Sequence, residues 1–153
     1  MSRTKNGRAV ARTVEIVILF ALPILVHYLF PVLTVVTKPY TSLGLTLMIP
    51  AIALATWVAK TFRKVGTSYQ LHGESSVLTT SGPFRISRNP MYLAMVIWLF
   101  GLAVLLGSLT AFMFPVLLFL AANFLIIPPE ERNMEQVFRD QYAEYKQSVR
   151  RWV

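Results

Sequence analysis

The sequence has no cysteine among its 153 residues, which excludes disulfides, thiol nucleophiles and thiolate metal ligands. Imidazole is nearly as scarce: only His27 and His72 are present, and no His/Glu/Asp cluster has metal-ligand spacing, so no metal site is expected. Charge is thin as well, at 14% of residues against about a quarter in soluble domains. Acidic residues number 7 against 15 basic ones, leaving a net charge of +8. That surplus does not point to nucleic acid, because the basic residues sit beside apolar runs and do not line one amphipathic face.

What is abundant is apolar surface. The chain is 55% hydrophobic, in runs too long for the core of so small a soluble domain. The reading is a single all-α integral membrane domain of about four transmembrane helices. Spans are expected over about 14–36, 41–59, 91–106 and 109–127, with a cytoplasmic loop over 60–90 and a cytoplasmic amphipathic helix over 129–152. The basic start "MSRTKNGRAVAR" before an apolar run also suits a signal peptide. The run is longer than a usual signal core and no small-x-small site follows, which favours an uncleaved first span.

From Met91 to Ile127 the apolar character is nearly continuous, and one straight helix of that length would measure roughly 55 Å. It must fold back, and Gly107 and Ser108 in "LGSLT" are the best turn formers, giving a helical hairpin that includes the third and fourth spans. In the tail, Met134, Phe138, Tyr142, Tyr145, Val149 and Trp152 recur at three- and four-residue steps. Basic residues flank the runs unevenly: Arg3, Lys5, Arg8 and Arg12 before the first, Lys60, Arg63, Lys64, Arg85 and Arg88 in the loop, and only Lys38 opposite. Both termini, the loop and the tail are therefore expected on the cytoplasmic side of an inner or plasma membrane.

The stretch "SGPFRISRNPMYLAM" interrupts the apolar sequence with glycine, two prolines and two arginines. Taken alone it reads as a re-entry turn, with Pro90 opening a helix, Arg85 and Arg88 on phosphates and Tyr92 in an interfacial belt. "PPEE" alone reads as a capped helix start. Together, "GPFRISRNPMYL" and, one apolar hairpin later, "EERNMEQVFRDQYAEYKQSVRRW" resemble the isoprenylcysteine carboxyl methyltransferase and phospholipid methyltransferase superfamily of integral membrane enzymes. The resemblance covers about residues 77–152.

The resemblance implies methyl transfer from S-adenosyl-L-methionine, with S-adenosyl-L-homocysteine as product. The Gly-rich βαβ cradle of soluble methyltransferases is missing from the sequence, so another cradle is needed. The resemblance assigns Asn89, Pro90, Tyr92, Glu130 and Glu131 to cofactor binding or its support, and makes Arg88 and Glu131 the catalytic candidates. Arg88 suits a bidentate pair with a carboxylate; Glu130 or Glu131 suits ribose hydroxyls, an ammonium group, or the base an amine acceptor needs. A carboxylate acceptor needs no base, and Arg88 or Arg132 would position it.

The expected acceptor is a lipophilic small molecule or lipidated group met at the membrane, most like that of protein-S-isoprenylcysteine carboxyl O-methyltransferase. Membrane lipids are the other partners, and no nucleic acid is expected. Asn89 stands where prenylcysteine enzymes carry His, which keeps phospholipid N-methylation open, and Arg139 replaces a frequent Gly. A different class, a small four-span transporter or assembly factor, would instead depend on intramembrane polar residues, with Glu15 and His27 as candidates.

Overall fold

The computed structural model describes residues 17–30, 32–65 and 78–153. Helix α1 covers Val17–Leu29. A short 3₁₀ turn at Tyr40–Ser42 leads into α2 (Leu43–Val65), and another at Gly82–Arg85 precedes α3 (Pro90–Leu106). Helix α4 (Leu109–Ala121) continues through a π turn (Ala122–Ile126) into α5 (Ile127–Ser148). Among the described residues the structure is helical, without a β-sheet.

Local sequence explains these boundaries. Pro90 occupies the first turn of α3, where its missing N–H would have had no helical partner. Gly107 ends that helix with φ 72°, and its N–H closes onto Ala103 O. A left-handed residue here is most easily glycine, and it reverses the chain into α4. The turn is held from outside by an extended segment, since Val35 and Val36 donate to Gly107 O (2.7 and 3.1 Å) and Leu109 donates to Leu33 O (3.0 Å).

Helices α2 and α3 approach closely because two glycines face one another. A Cβ on Gly101 would lie 2.8 Å from Met48 Cγ and 2.9 Å from Gly44 O. Small residues at such a crossing let backbones meet, as in helix pairs within lipid. Aromatic edges join the other helices: Phe20 to Trp98 at 5.9 Å links α1 with α3, and Phe100 to Phe112 at 5.7 Å links α3 with α4.

The outer surface is apolar. Leu45, Ile49, Val116, Leu117, Phe124 and Leu125 are exposed, while Ser87, Ser108 and Glu131 are buried. This inverts the soluble arrangement and suits a hydrocarbon solvent. Two helices, Tyr40–Lys64 and Leu109–Ser148, are long and apolar enough to cross a membrane; Val17–Leu29 and Pro90–Leu106 are shorter.

Two expectations differ from the structure. The first helix, expected to reach residue 36, stops at Leu29, and residues after it turn back to pair with the hairpin tip. The tail helix, expected to reach 152, stops at Ser148; Val149 is extended at φ −130° and ψ 133°. It is also broken at Arg139, whose φ of 43° and ψ of −115° are not helical. His27 Nδ1 lies 2.7 Å from Ser108 Oγ, a helix-to-turn hydrogen bond within the apolar layer. His72, Glu15, the basic N-terminal arm and the middle of the loop lie outside the described residues.

Candidate functional site

Three chain segments meet at the end of the hairpin: the turn Gly82–Asn89 with the start of α3, the π turn with the start of α5, and the extended tail after Ser148. Backbone and short polar groups tie the first to the third. Arg88 N donates to Arg150 O (3.0 Å), and Ser87 Oγ and Asn89 Nδ2 both donate to Arg151 O (3.2 Å each). Tyr145 adds a bond to Phe84 O (2.7 Å).

Glu131 lies at the centre, only 6% exposed. A buried carboxylate is costly without cationic partners, and it has two. Arg88 meets Oε1 at 2.9 Å and Arg151 meets Oε2 at 2.5 Å. The Arg88 guanidinium also donates to Lys146 O (3.2 Å), while its buried Nε has no hydrogen-bond partner among the described residues. Arg151 reaches further, through Nη1, to Asn123 Oδ1 (3.3 Å).

Asn123 sits in the π turn. Such a turn inserts one residue into the helical repeat and is often found at functional sites. Its Oδ1 also accepts from Trp152 Nε1 (3.1 Å), and the Trp152 ring packs on Phe119 at 4.8 Å. Beneath these groups Tyr92, Ala122 and Ile127 form a small buried core against Met95, Ile126 and Trp152.

The neighbouring carboxylate has a different environment. Glu130 accepts from the Tyr92 hydroxyl (2.9 Å). Loss of solvation pushes its pKa up to about 7, against which the Tyr92 hydrogen bond is the smaller, lowering influence. Burial likewise pushes Tyr145 up to about 12 and raises Tyr142, so both phenols stay neutral donors at ordinary pH. Two adjacent glutamates thus play unlike parts: Glu131 is ion-paired, whereas Glu130 is poised to exchange a proton near neutrality.

The six residues singled out from sequence come together here. Arg88 and Glu131 are paired, Tyr92 holds Glu130, Pro90 is buried at the helix start, and Asn89 faces the tail backbone. Arg132 is exposed, outside this cluster of contacts. The sequence motifs contain Ser87, Arg151 and Trp152 without giving them a role at the site, and Asn123 lies outside both motifs. Asn123 carried a signal, being an amide inside the apolar run "LLFLAANFLII".

A family described as phospholipid methyltransferase matches residues 39–141. A protein-S-isoprenylcysteine O-methyltransferase B of Arabidopsis thaliana is 38% identical over 79 residues, which are 50% of this chain and 39% of the plant enzyme. The chain therefore matches well under half of that relative's length. An uncharacterized protein of Haemophilus influenzae is 36% identical over 63 residues, 41% of this chain and all of that protein. No solved structure matches.

Proposed function

Because the chain belongs to the phospholipid methyltransferase family of membrane proteins, we propose that it moves a methyl group from S-adenosylmethionine to a lipophilic acceptor, most like protein-S-isoprenylcysteine carboxyl O-methylation. In this reading the chain forms four spans, with both termini and the site facing the cytoplasm. The observation that carries it is the convergence of both sequence motifs on one buried cluster, in which Arg88 and Arg151 flank Glu131 while Tyr92 holds Glu130.

The donor set fits the cofactor. A partnerless buried Arg88 Nε suits an anionic group such as the cofactor's carboxylate, and Glu130, whose partner is a neutral phenol, suits its ammonium or ribose hydroxyls. When bound, the cofactor supplies a methyl carried on a sulfonium. The protein's part is then orientation and exclusion of water: rigid ion pairs hold the reacting groups, and such positioning contributes several kcal/mol, on the order of 7 or more in favourable cases.

A second reading, phospholipid N-methylation, is favoured by Glu130. An amine acceptor must lose a proton, and a carboxylate with a pKa near 7 is suited to take it. A carboxylate acceptor leaves Glu130 with no such task.

Calorimetric titration of the detergent-solubilised protein with S-adenosylhomocysteine tests the common part of both readings. Saturable binding, weakened at least about tenfold by Glu131→Gln, supports the site. No binding by folded protein would remove the methyltransferase reading. Transfer of labelled methyl to a prenylcysteine analogue or to phosphatidylethanolamine vesicles then separates the two acceptors.

A further inference from the structure

Arg151 lies in the "VRRW" end of the second motif, but the resemblance gave it no role at the site, and it falls beyond the stretch 39–141 that the family match covers. Yet its side chain joins more parts of the cluster than any of the six residues singled out there. Nη2 is on Glu131 Oε2 (2.5 Å), Nε on Glu131 Oε1 (3.4 Å), and Nη1 on Asn123 Oδ1 and O (3.3 and 3.4 Å). Its own carbonyl accepts from Ser87 and Asn89. One residue therefore connects the α3 entry, the π turn and the acidic start of α5.

The geometry has a chemical consequence for Glu131. Arg88 approaches one oxygen, which leaves the carboxylate free to rotate about its last bond; Arg151 approaches the other and fixes the plane. The same guanidinium fork reaches Asn123, so the plane of Glu131 and the position of the π turn are set together. The ammonium of a lysine, a single point charge, has no such second arm.

We propose that Arg151 is a positioning residue of the methyl-transfer site, acting through Glu131 and Asn123. Asn89 has a matching part: its amide holds the tail carbonyl and so serves the cofactor indirectly. This inference rests on the methyltransferase reading above.

The test uses the full chain in detergent and S-adenosylhomocysteine as probe, with thermal unfolding followed for every variant. Arg151→Ala is expected to weaken binding by about thirtyfold or more, since it strips one partner from a buried charge pair. Arg151→Lys recovers part of the loss, and added methylguanidinium restores part of it in Arg151→Ala, because the side chain is 32% exposed and its space can be reached. In a Glu131→Gln background Arg151→Ala adds little.

Wild-type affinity in folded Arg151→Ala would overturn the proposal, as would losses from Arg151→Ala and Glu131→Gln that simply add. If Arg151→Ala unfolds, Arg151→Lys decides: a folded lysine variant with wild-type affinity overturns the proposal, and a partial loss supports it. Failure of wild-type protein to bind the probe is a separate outcome, which removes the methyltransferase reading and this inference with it.

Discussion

Tyr92 and Glu130 are separated by 38 positions in the chain and by 2.9 Å in space, so the first turn of α3 is bonded to the first turn of α5. Burial of Glu130, against the smaller opposing influence of that bond, makes stability depend on pH. Glu130 has its ordinary pKa of 4.5 when unfolded and about 7 when folded, so the folded protein holds its proton more tightly. The stabilisation this gives is complete below about 4.5 and is lost as pH rises through about 7. Unfolding midpoints in detergent should fall as pH rises from 5 to 8, and Glu130→Gln should flatten that decline. An unchanged slope in the variant would assign the dependence to another group.

Arg139 gives a stability prediction of opposite sign. Its φ of 43° and ψ of −115° lie where glycine is favoured, and the sequence resemblance already marked this as a position that frequently carries Gly. Arg139→Gly should stabilise the protein by about 1 kcal/mol despite glycine's greater freedom in the unfolded chain. A lower unfolding midpoint would show that the arginine side chain supplies more than its backbone costs.

How much of this was legible in the sequence depended on whether a signal was local. The reversal at Gly107 and the helix start at Pro90 follow from the conformations those two residues adopt easily, and no other part of the chain is needed to see them. The six motif residues could be named because their order and spacing are distinctive. Arg151 stood in the quoted "VRRW" without a role, since its importance comes from tertiary neighbours 20 and 28 positions away. The tail misled for a related reason. Val149 and Trp152 continue the helical apolar rhythm, but Trp152 reaches its place on Phe119 and Asn123 from an extended backbone.

The crossing of α2 and α3 should tolerate no side chain at Gly44. A Cβ there would come within 2.6 Å of Leu105 N, a backbone atom that cannot move aside without shifting α3. Gly44→Ala is expected to cost about 1–3 kcal/mol, read from detergent or denaturant unfolding. A neutral result would mean that the helices separate easily at this point.

His27 and Ser108 provide a test at the other end of the molecule. Their 2.7 Å contact joins α1 to the hairpin turn, and side-chain bonds of this kind between membrane helices contribute about 0.6–1.7 kcal/mol. His27→Ala and Ser108→Ala should each destabilise, and the double variant should lose less than the sum. Neither should weaken S-adenosylhomocysteine binding, as the bond is remote from Glu131. Loss of binding in His27→Ala alone would link the two ends and revive a function for intramembrane polar groups.

The π turn at Ala122–Ile126 turns chain length into a specificity setting. The π turn takes up one extra residue in a widened turn, so α4 and α5 keep a common register on either side of it. Exposed Phe124 and Leu125 and the inward Glu131 keep their respective directions only in that register. Deleting a single alanine from "AAN" should close the widened turn into ordinary α-helix and move Asn123 off Arg151 and Trp152, while leaving composition and hydropathy almost untouched. For this protein, relatives should be aligned by the count of residues between Pro115 and Glu130 as much as by their identities, and a one-codon change in that interval should be rarer than most substitutions within it.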